Sequence, residues 1–200
     1  MGQQHPENTR SVMDTSSLLL QFIIVAVLAL YTGLRTRHEY REQEELSNRT
    51  DRVIWLTWVS HTVLTVSTVR KSADSVPVRE AEASNVGRVL IGIGTAMYAL
   101  GTAQFESVDQ MMGRNTNGLV TDGIFSHSRN PQYTGWGVAL LGIATRKRSR
   151  LTFLVAIFYW IVIHCYLIFV EEPHLERVFG EDYREYRDGA PRYISLFEEV

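Results

Sequence analysis

Residues Leu151 to Val170 read LTFLVAIFYWIVIHCYLIFV, twenty residues with no formal charge and no polar stripe at helical spacing. A helix of that length rises about 30 Å, the thickness of a bilayer's hydrocarbon core. A globular helix of the same length would show a polar face. The stretch therefore reads as a membrane helix, and the rest of the chain is read around it.

Immediately upstream, the basic turn Arg146-Lys147-Arg148-Ser149-Arg150 separates this helix from an apolar run at Tyr133 to Thr145, 13 residues that rise only about 20 Å. So short a connection predicts an antiparallel helical hairpin. Farther upstream, Val89 to Phe105 is apolar and contains Gly92, Gly94 and Gly101, which would let another helix approach closely. Val53 to Val69 is uncharged but carries Trp55, Trp58, His61 and several hydroxyls, and Leu18 to Leu34 is an uncharged run of 17 residues. The first 17 residues are polar and read as a loose terminus. No secretory signal pattern surrounds the first apolar run, because acidic residues precede it and no small-residue cleavage site follows. These segments predict an all-α, polytopic membrane bundle of about five transmembrane helices with a C-terminal amphipathic helix. It forms one membrane domain over 1–200, with the first three helices in 18–105 and the chemistry in 106–200.

Composition narrows the function. The chain has 200 residues with 20 Lys and Arg against 22 Asp and Glu, a formal net charge of −2, which gives no field for nucleic acid. Mean hydropathy is −0.08, an average that hides alternating apolar and charged segments. A single cysteine, Cys165, excludes an internal disulfide and a Cys-rich metal site. His61, His127 and His164 have no ligand spacing, so no metal is expected. If five segments cross, loops 35–52 and 106–132 share a side with the tail, and that side carries 11 Lys and Arg against 9 on the other. The positive-inside rule therefore leans weakly toward that side being cytoplasmic.

Two tracts are too polar to be connectors. One runs from Asn117 through Leu119, Val120, Gly123, Ser128, Arg129, Asn130 and Pro131 to Tyr133 and Gly135; the other runs from Glu171-Glu172-Pro173 through Leu175, Phe179-Gly180, Tyr183 and Tyr186 to Pro191-Arg192. The hairpin brings the end of the first tract and the start of the second to one end of the bundle. Arg129 and Asn130 would then face Glu171 and Glu172 at a membrane–water interface, where charges are costly and mark a site or a buried pair. Leu175, Phe179, Tyr183 and Tyr186 recur on one helical face, with Pro173 at the start and Asp188-Gly189 at the stop, which suits an amphipathic helix lying over the hairpin's open end.

The pattern Gly-x-Phe-x-x-x-Arg-Asn-Pro-x-Tyr-x-Gly at 123–135, followed by the Glu171-Glu172 signature, resembles the isoprenylcysteine carboxyl methyltransferases and the phospholipid N-methyltransferases over about residues 86–194. The resemblance implies a membrane methyltransferase using S-adenosylmethionine reached from the cytoplasm, with a lipid or apolar small molecule as the other partner. Under that resemblance the catalytic candidates are Glu171 and Arg129. The cofactor-binding candidates are Leu119, Val120, Gly123, Arg129, Asn130, Tyr133, Gly135, Glu171, Glu172 and Tyr183. Glu171 or Glu172 suits the cofactor's ammonium, Arg129 its carboxylate as a bidentate fork, Asn130 a donor and an acceptor, and Tyr133 or Tyr183 adenine or the sulfonium. Asn130 stands where the carboxyl-methylating branch has histidine, which favours an acceptor other than a carboxylate. An amine acceptor would have to lose a proton, which Glu171 could take. The tail through Phe197 also lacks the proline usual after this signature.

Plainer readings stand beside these. Arg129 with a glutamate is also a structural pair, Asn130-Pro131 is also turn chemistry, and Tyr183 and Tyr186 are also interfacial anchors. Two other functions remain open at this stage, an NADPH-dependent membrane reductase of the sterol-reductase kind and a non-enzymatic membrane protein.

Overall fold

The computed structural model describes residues 6–71, 76–116 and 118–194, with side chains from residue 16 onward. Asn117 and the end of the tail at Ser195 to Phe197, both used in reading the sequence, lie outside the described residues. Among the described residues every regular element is helical: α1 (Pro6–Gln43), α2 (Asn48–Lys71), α3 (Glu80–Ala103), a single turn α4 (Val108–Met111), a 3-10 turn (Gly123–Ser126), α5 (Pro131–Lys147), α6 (Arg150–Tyr166), a π turn (Leu167–Glu171), α7 (Glu172–Phe179) and α8 (Glu181–Gly189). Helical backbone thus begins at Pro6, inside the stretch read as a loose terminus.

The long helices stand side by side in the spatial order α1, α2, α6, α5, α3. Three are long and apolar enough to cross a membrane: Ser16–Gln43, Glu80–Ala103 and Arg150–Phe179. The expected count of about five is therefore supported for three. α2 is long enough but carries Arg49, Asp51, Arg52, His61 and a run of threonines. α5 has 17 residues, about 25 Å of rise, short of a full core thickness. Large apolar side chains such as Leu30, Leu34, Ile157 and Ile161 point outward, the arrangement lipid demands of a bundle whose interior is mostly small and aromatic.

The tightest contact is between α3 and α5. Gly87, Gly94 and Gly101 fall seven residues apart on α3 and meet Gly142, Gly135 and Pro131 of the antiparallel α5. A Cβ added to Gly135 would lie 2.5 Å from the Gly94 carbonyl, and one added to Gly142 would lie 2.8 Å from the Gly87 carbonyl. Gly94 thus packs helices as its sequence suggested, whereas a Cβ at Gly92 would meet nothing. Beside α5, the hairpin closes through Ser149, which caps α6 by accepting from Thr152 N at 3.1 Å. Its core is Leu140, Ala156, Tyr159, Ile163 and Leu167, and the Tyr159 hydroxyl donates to the Tyr133 carbonyl at 2.8 Å. Hydroxyl pairs join the remaining helices, Thr32 with Thr57 at 2.7 Å between α1 and α2, and Thr68 with Thr152 at 3.2 Å between α2 and α6.

Two features of the tail differ from expectation. Pro173 does lie in the first turn of α7, as expected, but α7 is not a separate helix. α6 runs into α7 through the π turn at 167–171, where the wider winding accommodates a proline that has no N–H to donate one turn back. The tail helix is also broken, because Gly180 adopts φ +56° and ψ −119°, so α7 and α8 meet at an angle. Only glycine holds such a conformation without strain. Gly180→Ala is expected to loosen α8 at a cost of about 1–3 kcal/mol, seen as faster proteolysis between α7 and α8 with α6 unaffected.

Candidate functional site

One end of the bundle collects almost all of the buried charge. The loop after α1 bonds the loop after α3 (Leu46 N to the Gly113 carbonyl, 3.0 Å), and Arg114 reaches Asp51 at 3.3 Å. Tyr40 of α1 stacks on His174 of α7 with ring centroids 3.6 Å apart. Loops 35–52 and 106–132 and the tail therefore share an end, and the hairpin brings the two polar tracts together there.

At the centre of this end is Glu172. Its carboxylate accepts from Arg129 Nη2 at 3.0 Å and from Arg192 through both Nε and Nη2, the latter at 2.8 Å. The Arg129 side chain is only 8 % exposed. Its Nη1 donates to the carbonyls of Arg187 at 2.7 Å and Ala190 at 2.8 Å, closing the end of α8, and its backbone N–H donates to the Pro191 carbonyl at 2.8 Å. Asn130 is buried and does not cap α5 with its side chain; its Nδ2 donates to the Arg192 carbonyl at 2.9 Å, and its backbone N–H donates to Ser128 Oγ at 3.2 Å. The Tyr186 hydroxyl donates to the Phe125 carbonyl at 2.8 Å. The two polar tracts are thus stitched together by one carboxylate, two guanidiniums and five main-chain carbonyls.

Glu171 contrasts with its neighbour. Its carboxylate faces the Tyr133 hydroxyl, with Tyr40 and Tyr166 close by, and its Oε2 is buried without a hydrogen-bond partner. Among the described residues no cation pairs with it. An anionic group so placed is costly until a cation or proton arrives. Tyr183, 1 % exposed, lies within electrostatic reach of Arg129, Glu171 and Glu172; burial, reinforced by Glu172, pushes its phenol well above the ordinary range and keeps it neutral.

The other candidates lie farther from this carboxylate. Gly135 sits in the α3–α5 crossing, where its lack of a side chain serves packing. Gly123 opens the 3-10 turn with φ +59°, its Cα covered by the Gln104 amide. Leu119 and Val120 are half-buried in the loop before it. Three contributors escaped the sequence reading. Arg192 figured only as the end of the second tract, and Tyr40 and Tyr166 were not singled out. No local signal marks the tyrosines, since α1 and α6 meet only in three dimensions. The Pro191-Arg192 element of the tail signature was the available signal for Arg192.

Residues 85–182 match the family model described as phospholipid methyltransferase. Phosphatidylethanolamine N-methyltransferase B of Dictyostelium discoideum is 34% identical over 92 residues, covering 46% of this chain and 45% of that protein. Protein-S-isoprenylcysteine O-methyltransferase of Schizosaccharomyces pombe is 34% identical over 79 residues, 39% of this chain and 33% of that protein. Phosphatidylethanolamine N-methyltransferase of Komagataella phaffii is 29% identical over 68 residues, 34% of this chain and 8% of that protein. The chain spans less than half the length of each of these relatives. No solved structure matches it at comparable significance. The resemblance drawn from the tracts at 123–135 and 171–192 is borne out: both membrane methyltransferase groups named there are found.

Proposed function

We propose that this chain, matched over residues 85–182 to the phospholipid methyltransferases, is an integral membrane methyltransferase. In this reading it transfers a methyl group from S-adenosylmethionine to a lipidic or apolar small-molecule acceptor at the cytoplasmic face of the membrane, with residues 106–200 as the catalytic part. All five apolar segments lie within the bilayer. The observation that supports the reading is Glu171, whose Oε2 is buried without a partner and which no cation pairs with among the described residues, where the two polar tracts meet.

The residues fit such a cofactor by charge. When bound, S-adenosylmethionine supplies an electrophilic methyl group on a sulfonium and carries an ammonium, a carboxylate and adenosine. Glu171 answers the cationic part, and Tyr133, Tyr166 and Tyr40 wall its carboxylate. Glu172 is already paired with two arginines and serves to hold the tail. Arg129, whose two terminal nitrogens are taken by Glu172 and two carbonyls, is assigned the same positioning work. The cofactor's carboxylate falls to the first turn of α5, whose main-chain N–H groups have no side-chain cap. Tyr183, Leu119, Val120 and Gly123 are assigned to the walls around the nucleoside. Methyl transfer neutralises the sulfonium and creates little new charge, so orientation and exclusion of water are the main contributions of the chain. With an amine acceptor, Glu171 Oε2 takes the proton released as the nitrogen is methylated.

The test incubates purified protein and labelled methyl donor with host lipid extract and identifies the labelled product. Glu171→Gln, which keeps the shape and removes the charge and the proton acceptor, is expected to lower the rate about a hundredfold or more. Stabilisation by S-adenosylhomocysteine is expected in the wild type and lost in the Asn130→Ala, Glu171→Ala pair. Stabilisation by NADPH instead would overturn the reading.

A further inference from the structure

Beside the site, on the outer side of Tyr40 and His174, a recess of about 140 Å³ opens between the end of α1 and the π turn and α7. Three arginines line it: Arg37 and Arg41 from α1 and Arg177 from α7. The rim arginines Arg129, Arg184, Arg187 and Arg192 all pair with carboxylates. Among the described residues Arg37 and Arg41 pair with none, and Arg177 has only His174, whose Nδ1 accepts its Nη2 proton at 3.2 Å. The nearest acid on α1 past the recess, Glu42, faces His38. The recess therefore concentrates positive charge that the chain does not neutralise. His174, stacked on Tyr40 and buried, fixes the direction of the Arg177 fork.

The walls below the arginines are apolar. On α1, Leu30, Leu34, Arg37 and Arg41 follow one another at helical spacing on one face, with Leu30 66% and Leu34 59% exposed. On the other wall Ile168, Phe169, Val170 and Pro173 line the recess beside Arg177, with Phe169 59% exposed. Both faces change from apolar to guanidinium at the same end, and both belong to helices apolar enough to span the bilayer. A free anion would use the arginines alone. A phosphate carrying acyl chains would use the arginines and the two apolar stripes together.

We propose that this recess binds the phosphate of a membrane phospholipid, held by Arg37, Arg41 and Arg177, with its acyl chains along Leu34 and Phe169. Guanidinium forks suit phosphate oxygens, and basic pockets between membrane helices at the headgroup level are placed to take anionic lipid. The proposal rests on the chain lying in a membrane. It does not require the bound lipid to be the methyl acceptor.

The test titrates the purified full-length protein in neutral detergent with dioctanoyl phosphatidic acid, dioctanoylglycerol or inorganic phosphate, following the unfolding midpoint and bound lipid by native mass spectrometry. Phosphatidic acid is expected to bind and stabilise saturably, with the other two inert at the same concentrations. Arg37→Gln, Arg41→Gln and Arg177→Gln are each expected to weaken half-saturation about fivefold, and the triple variant about a hundredfold. Arg49→Gln, an exposed arginine at the same end but outside the recess, is expected to match the wild type. Unchanged titration in the triple variant, equal weakening by Arg49→Gln, or equal stabilisation by inorganic phosphate would each overturn the proposal. Stabilisation by S-adenosylhomocysteine is read in the same preparations. Its persistence in the triple variant shows that the fold survives, and its absence from the wild type would count against the methyltransferase reading alone.

Discussion

Glu172→Ala is expected to destabilise the protein by about 3 kcal/mol, the scale for removing one partner of a buried ion pair. The substitution leaves the Arg129 guanidinium, 8 % exposed, without a counter-charge, and it releases Arg192 from its two-pronged hold. Because Arg129 also closes the end of α8, the loss spreads to the tail. The measurement is thermal unfolding in detergent together with limited chymotrypsin digestion. The expected result is a lowered midpoint with early cleavage near Tyr186 and Tyr193. Glu172→Gln keeps two acceptor and donor positions but no charge, and should fall between. A Glu172→Ala protein that melts and digests like the wild type would show that the two tracts are held together by something other than this carboxylate.

The second large effect lies in the α3–α5 crossing. Gly94→Ala places a methyl group against the α5 backbone, which cannot rotate away as a side chain can, and Gly135→Ala does the same in reverse. Each is expected to cost at least about 2–3 kcal/mol, the upper part of the range for overpacking, because main chain must move. Gly92→Ala, two residues away on the same helix and facing open space, is expected to be neutral or to stabilise by up to about 1 kcal/mol through helix propensity. The comparison needs only three variants and one unfolding assay. Similar midpoints for Gly92→Ala and Gly94→Ala would refute the close crossing.

The sequence made some of this legible and concealed the rest for physical reasons. Leu151–Val170, the five-residue turn before it and the polar tracts on either side are local signals. They sufficed to bring Arg129 and Asn130 to the end that holds Glu171 and Glu172. Which glutamate takes the arginines could not be read, because adjacent residues on a helix point about 100° apart and the winding between them is a π turn. Gly135 lay in a motif read as a cofactor tract, but its neighbour across the crossing, Gly94, sits 41 positions earlier. Seven-residue spacing of Gly87, Gly94 and Gly101 was the available clue. The break at Gly180 was hidden by a helical pattern that runs through it, since Phe179 and Tyr183 stay on the apolar side of both short helices. The polar groups that α2 hides, such as Thr68 against Thr152, find partners only once α6 is in place, which no local pattern in α2 shows.

The side-by-side order of the helices bears on how the protein is made. α3 is synthesised before its principal neighbour, and its extensive contacts are with α5 rather than with α1 or α2. At about 5–20 residues per second, a ribosome needs a few seconds to travel from Ala103 to Lys147. Throughout that interval the notched face of α3 has no complementary surface. Assembly in the membrane must therefore wait for the hairpin, and a nascent chain stalled before Pro131 would expose that bare backbone ridge to whatever insertion machinery surrounds it.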